Sequence, residues 1–144
     1  MHSNAPKKQA GTTLLEVLIT VVLVSIGLLG LAGLQLTTVQ NSNSAGERFE
    51  ATTLARDILE RMRANRGSAL TGQYNIALLA APAAAGVTGD DLTTWKATLG
   101  VLPNGDGAVD VTAGVATITV NWTDASDDNP GASTAANMVL RSQL

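Results

Sequence analysis

Hydropathy divides the chain into an apolar run, an amphipathic run and a mixed remainder. From Val17 to Leu34 no residue is charged, and Thr20, Ser25, Gly27, Gly30 and Gly33 are the only positions that are not aliphatic. Eighteen residues rising about 1.5 Å each make roughly 27 Å of helix, close to the thickness of a hydrocarbon core. A helix apolar on every side predicts a membrane span, because a soluble surface helix keeps one wet face. Helical spacing continues past the span. Leu36, Val39, Phe49, Ala55, Ile58, Leu59 and Met62 fall mostly at three- and four-residue steps, the spacing of one face. The pattern predicts one long helix from about residue 13 to residue 66, weakest across the polar residues 41–46. Asp57 and Arg61 form an i,i+4 pair, and Arg61, Arg63 and Arg66 suit a last turn, where the helix dipole favours cations. Gly67 is the expected C-cap.

The remainder predicts a small α+β unit. Residues 76–89, rich in Ala and Gly, read as a loop. Asp90 is the expected N-cap of a short helix with Leu92, Trp95 and Leu99 on one face and Gly100 at its end. Residues 103–107 (Pro-Asn-Gly-Asp-Gly) read as a turn. Residues 115–123 alternate, with Ile118, Val120 and Trp122 on one side and Thr117, Thr119 and Asn121 on the other. Val109 and Val111 supply a partner strand across Ala113-Gly114. A last strand over 137–143 follows the loop 124–134. The inward face of this antiparallel sheet is expected to pack on the amphipathic half of the long helix, with Trp95 and Trp122 as core anchors. The domains are therefore 1–11, a leader; 12–34, the membrane half of the helix; 35–66, its amphipathic half; and 67–144, the headgroup.

Charge changes the picture in two ways. Before Glu16 the only charges are Lys7 and Lys8, while residues 35–46 carry none. Cytoplasmic flanks are enriched in Lys and Arg, so the N-terminus is expected in the cytoplasm and everything after Leu34 outside it. From Gly67 onward, two basic residues (Lys96, Arg141) against seven Asp sum to −5. An acidic headgroup is a poor match for a phosphate backbone, so no nucleic-acid partner is expected. The chain has no cysteine, and His2 is its one histidine, which argues against thiolate metal sites and against histidine acid–base chemistry in the folded part. No cofactor, no metal and no enzymatic activity are expected. The residues Asp124, Asp127, Asp128 and Asn129 offer hard oxygens that calcium favours, but their spacing matches no EF-hand. A solvated acidic loop is the reading preferred.

The order of basic residues, Gly, two Leu, Glu and an apolar helix resembles type IV prepilins. Here it runs Lys7-Lys8-Gln9-Ala10-Gly11, then Thr12-Thr13-Leu14-Leu15-Glu16-Val17-Leu18. The resemblance implies that a membrane-embedded prepilin peptidase cuts after Gly11 and methylates the new N-terminus on Thr12. Glu16 becomes the fifth residue of the mature chain. The family usually carries Phe after the cut, where this chain has Thr12. Residues 26–35 (Ile-Gly-Leu-Leu-Gly-Leu-Ala-Gly-Leu-Gln) and 57–66 (Asp-Ile-Leu-Glu-Arg-Met-Arg-Ala-Asn-Arg) resemble the narrower group of minor pilins of the PilV kind.

What this likeness implies is a pilin-like α+β fold and a minor pilin that helps initiate or prime type IV pilus assembly. The implied partners are other minor and major pilins, the prepilin peptidase, the inner-membrane assembly platform and membrane lipid. The implied location is the inner membrane, single-pass, with a periplasmic headgroup that later joins the pilus. A type II secretion pseudopilin, or an adhesive headgroup on a pilin stalk, is the alternative. On the residues themselves, Glu16 reads as an assembly carboxylate, since a charge in an apolar helix is costly unless paired or solvated. Gly27, Gly30 and Gly33 admit two compatible readings. They are small residues for close helix packing, or a deliberately weak stretch, each Gly costing about 1 kcal/mol of helix stability against Ala. The cluster Arg56, Arg61, Arg63 and Arg66 reads as a solvated helix face, with an inter-subunit ion-pair surface as the alternative.

Overall fold

A computed structural model of the chain describes residues 12–124 and 134–144. Lys7, Lys8 and Gly11 of the expected leader, and Asp127, Asp128 and Asn129 of the acidic loop, lie outside the described residues. The element order is α1 (Thr12–Ala64), α2 (Arg66–Leu70), α3 (Gly86–Thr98), a 3-10 turn at Leu99–Val101, and strands β1 (Asp106–Thr112), β2 (Val115–Asp124) and β3 (Thr134–Gln143). Two compact units divide the chain, one up to Val39 and one from Gln40 to Leu144.

Among the described residues, the first unit is helix alone. In the second, the later part of α1 packs on a three-stranded antiparallel sheet ordered β1-β2-β3, an α+β arrangement of the pilin kind. The alternation predicted over 115–123 is real: Ala116, Ile118, Val120 and Trp122 face inward and are buried. Their neighbours on β3 are the half-buried Ser142, Leu140, Met138 and Ala136. The hairpin between β1 and β2 turns at Ala113 (φ 52°) and Gly114 (φ 77°). Two consecutive positive φ values suit the right-handed twist of the flanking strands. β3 starts three residues earlier than the spacing predicts, and pairs with β2 along its whole length.

Several local expectations are corrected. The helix passes unbroken through residues 41–46, where Ser44 is tied to the end of β2. The packed face is Ala51, Leu54, Ala55, Ile58, Leu59 and Met62. Phe49 is not on it and stands 73% exposed, while Leu36 and Val39 are exposed in the first unit. Gly67 is no C-cap: α1 ends at Ala64, Asn65 leaves helical geometry (φ −115°, ψ 48°), and Gly67 sits inside α2. The Asn65 amide turns inward to Tyr74 and Thr88, a tertiary demand that overrides the local signal.

Asp90 is no N-cap either, because α3 begins at Gly86. Gly89 is pressed against the chain before it, since a Cβ there would lie 2.1 Å from the Ala84 carbonyl oxygen. Close packing thus extends the helix backward past the polar start signal. At the other end α3 stops at Thr98 and tightens into the 3-10 turn that contains Gly100. Asp106 and Gly107 are strand, leaving the turn at Pro103-Asn104. Ile76, read as loop, is buried and forms an isolated antiparallel bridge with Val109.

Candidate functional site

In the first unit, every apolar side chain from Leu14 to Val39 is exposed on α1. Among the described residues this is the helix long and apolar enough to cross a membrane. Four of its hydroxyls do not demand water. Thr20, Ser25, Thr37 and Thr38 each donate back to the carbonyl four residues earlier, at 2.6, 2.7, 3.2 and 2.8 Å. Polar hydrogens satisfied within the helix are what a lipid surround requires. Glu16 lies exposed in the second turn of α1, and its backbone carbonyl receives the Thr20 hydroxyl. Thr12 opens the helix. Gly27, Gly30 and Gly33 have open space around the position of an added Cβ, so no packing among the described residues demands their smallness.

In the second unit, side chains tie α1 to the sheet and to α3. Trp95, fully buried, donates its indole Nε1–H to the Leu54 carbonyl oxygen at 2.9 Å. Trp122 donates to Glu47 Oε2 at 3.1 Å, and Ser44 Oγ donates to Asp124 Oδ2 at 2.7 Å. Arg48 stands 3.7 Å from the same carboxylate oxygen, but it is mostly exposed and contributes little. The basic cluster is not a plain solvated face. Arg61 reaches Asp57 at 3.0 Å and Asp91 at 3.3 Å. Arg63 donates to Glu60, to Ser142 Oγ and to the Gln143 carbonyl, and Arg66 to the Leu144 carbonyl. Arg61 and Arg63 therefore bind the end of α1 to α3 and to the end of β3, and Arg66, in α2, adds a bond to Leu144. Arg56 is exposed.

Two polar clusters deepen this tie. Tyr74 Oη donates to Asp91 Oδ2 at 2.6 Å and accepts from Asn65. Burial pushes the Tyr74 hydroxyl pKa up, and the bond to Asp91 adds to the rise against the opposite pull of Asn65 and Thr88. Across the unit, Asp106 receives Lys96 Nζ, the Leu79 N–H and the Gly107 N–H. Burial opposes ionisation of Asp106, yet these donors hold its carboxyl below the ordinary carboxylate range.

A pH dependence follows. A carboxyl whose folded pKa is depressed contributes stability above its unfolded pKa and loses it as pH falls through the folded value. Asp106→Asn is expected to cost about 2 kcal/mol at neutral pH. In acid titrations of the folded headgroup by urea unfolding, that gap to wild type is expected to close below about pH 4. A gap that stays constant to about pH 2 contradicts the assignment.

Of the residues singled out from sequence, Thr12 and Glu16 are described and share the start of α1, whereas Gly11, Lys7 and Lys8 lie outside the described residues. Sequence reasoning missed Ser44 and Glu47 as partners of the sheet. The signal was weak, because a polar run on a helix reads as solvent-facing until the strand opposite it is known.

Two family models match adjacent stretches of the chain: the prokaryotic N-terminal methylation motif over residues 6–32, and type IV pilin Tt1218 over residues 33–96. No curated protein and no solved structure matches the chain. With a helix that is apolar in its first stretch and packed on an antiparallel sheet in its last, these two matches support a type IV pilin. The methylation motif and the apolar N-terminal helix fit a membrane-anchored pilin. Within that class the particular likeness is to the Tt1218 kind, across the amphipathic part of α1 and most of α3. The narrower likeness to the PilV kind is not what either match describes.

Proposed function

We propose that this chain is a minor pilin that helps prime type IV pilus assembly, recruited by other pilins through its N-terminal helix. The observation that carries this reading is the exposed apolar helix bearing one carboxylate, Glu16, fifth after Gly11. Before assembly, lipid covers that helix; in the filament, neighbouring helices do. Prepilin peptidase cuts between Gly11 and Thr12 on the cytoplasmic side, guided by Lys7 and Lys8, and methylates Thr12. The anchor, 12–34, then holds the subunit in the inner membrane. Residues 35–66 and the headgroup 67–144 lie in the periplasm until the assembly platform extrudes them.

The absence of cysteine is in keeping with a minor component, since many major pilins carry a Cys pair. Processing removes Lys7 and Lys8, leaving 9 − 2 = 7 basic side chains against 12 acidic ones, a charge of −5. Mass spectrometry of the membrane-extracted protein is expected to show a chain starting at N-methylated Thr12, co-purifying with other leader-processed pilins. A leader retained in cells with active peptidase, or purification free of other pilins, contradicts the reading.

A further inference from the structure

The turn that leads into β1 is fixed by two local demands. Pro103 stands second in the four-residue turn 102–105, which the Gly105 N–H closes by donating to the Leu102 carbonyl at 3.0 Å. Asn104, third in that turn, has φ 51°, a conformation that favours Gly, Asn and Asp. Gly105 meets the second demand: a Cβ there would lie 2.0 Å from the Leu99 carbonyl oxygen, so only glycine fits. Together these select Asn-Gly, and residues 104–105 are the one such pair in the chain.

Asn-Gly carries its own chemistry. With no side chain on Gly105 to obstruct it, the Gly105 nitrogen can attack the side-chain carbonyl carbon of Asn104. That closes a five-membered imide and expels the side-chain nitrogen as ammonia. Water then opens the ring at either carbonyl, leaving aspartate or isoaspartate. The sum is one amide and one water giving one acid and one ammonia, with no change of oxidation state. Asn104 is exposed, so water has access. The folded turn, however, holds both reacting groups elsewhere. The Gly105 N–H is engaged by the Leu102 carbonyl, and Asn104 Nδ2 donates to Thr123 Oγ1 at 3.2 Å. Thr123 also donates its own N–H to the Pro103 carbonyl at 2.8 Å, which fastens the turn to the end of β2. The reaction therefore waits on local opening of the turn.

We propose that Asn104 is a site of spontaneous deamidation, which the folded headgroup keeps shut through Thr123 and the Leu102–Gly105 bond. This stands whether or not the chain is recruited by other pilins. The adjacent Asp106-Gly107 pair is closed to the equivalent rearrangement for a different reason. Its carboxylate accepts from Lys96, Leu79 and the Gly107 N–H itself, and an ionised carboxylate is a poor electrophile. At Asn104 the change is one-way once it occurs. Isoaspartate adds a methylene to the backbone, which puts the Leu102–Gly105 and Pro103–Thr123 bonds out of step. Either product adds a negative charge to a headgroup that already sums to −5. The turn thus accumulates a covalent record of how often the headgroup has opened.

Full-length protein in detergent is aged at mildly alkaline pH, with and without denaturing urea. Peptide mapping by mass spectrometry scores the amide-to-acid mass increase at each asparagine. In urea, Asn104 is expected to convert ahead of every other asparagine. In the folded protein its conversion is expected to be at least about tenfold slower. Thr123→Val keeps the branched shape that suits a strand and removes the hydroxyl. It is expected to match wild type by circular dichroism, to convert severalfold faster when folded, and to convert at the wild-type rate in urea. Asn104→Gly accepts the positive φ and supplies the blank. Equal rates for folded and unfolded wild type overturn the proposal, as does another asparagine converting first in urea. A folded Thr123→Val no faster than wild type overturns it too. So does a chromatographic shift of the same peptide without a mass increase, which places the rearrangement at Asp106.

Discussion

Trp95→Ala is expected to destabilise the headgroup by about 3–5 kcal/mol, the range for removing a large aromatic from a packed interior. Trp95 has no exposed surface and sits where α3, α1 and the sheet meet. Its indole hydrogen is bound to the Leu54 carbonyl, 41 residues away in sequence. Against its ring lies β1, where Gly107 leaves no slack: a Cβ there would fall 2.5 Å from Cη2 of the tryptophan. Because that strand is built flush to the ring, its neighbours cannot collapse far into the space left by Ala, which places the loss toward the upper end.

Trp95→Phe separates the contributions. It keeps most of the apolar volume and removes the donor, while the Leu54 carbonyl stays within α1, so about half of the Ala effect or less is expected. Urea unfolding of residues 35–144, followed by circular dichroism, measures both. A loss below about 1 kcal/mol for the Ala variant means that α3 does not belong to the folding unit.

Glu16→Gln is expected to be cleaved and inserted like wild type, yet to lose most of its recruitment by other pilins. Glutamine keeps the size and hydrogen bonding of the side chain and removes only the charge. The proposed cut after Gly11 would create an ammonium on Thr12, four residues from Glu16. In a packed filament both groups leave water. There an unpaired charge costs several kcal/mol, and a partner of opposite sign offsets much of it. A pair formed between neighbouring subunits fixes their axial register, while the apolar helix faces supply most of the attraction. In the free monomer the exposed Glu16 can reach water and headgroups at the membrane edge, so cleavage and insertion do not depend on it. Quantitative co-purification of the variant from membranes, with leader cleavage scored on the same sample, decides the matter. Normal recruitment and normal piliation contradict the pairing.

The sequence by itself determined the elements whose signal is local and repeated. An uncharged run from Val17 to Leu34 specifies a helix apolar on every side and long enough to span a hydrocarbon core. Strict alternation through Ile118, Val120 and Trp122 specifies a half-buried strand, because a one-residue slip would turn every large side chain to water. The leader motif specified the class before any coordinates. The tertiary structure decided what depends on distant partners. Gly67 and Asp90 carry ordinary helix-end signals worth about 1 kcal/mol each, and burial of Ala69, Thr88 and Gly89 against the rest of the headgroup outweighs them.

Phe49 shows the same limit from the other side. Its spacing places it near the packed face, but the face that meets the sheet runs through Ser44, Glu47 and Ala51 and leaves the ring outside. Ser44, Glu47 and the arginines at 61, 63 and 66 read as solvated because their partners, Asp124, Trp122, Asp91 and the end of β3, lie 30 or more residues away. Composition does reveal that residues 77–85 are apolar. Only the fold shows that Leu79 faces outward in a left-handed backbone, because that geometry is imposed by Asp106 on a neighbouring strand.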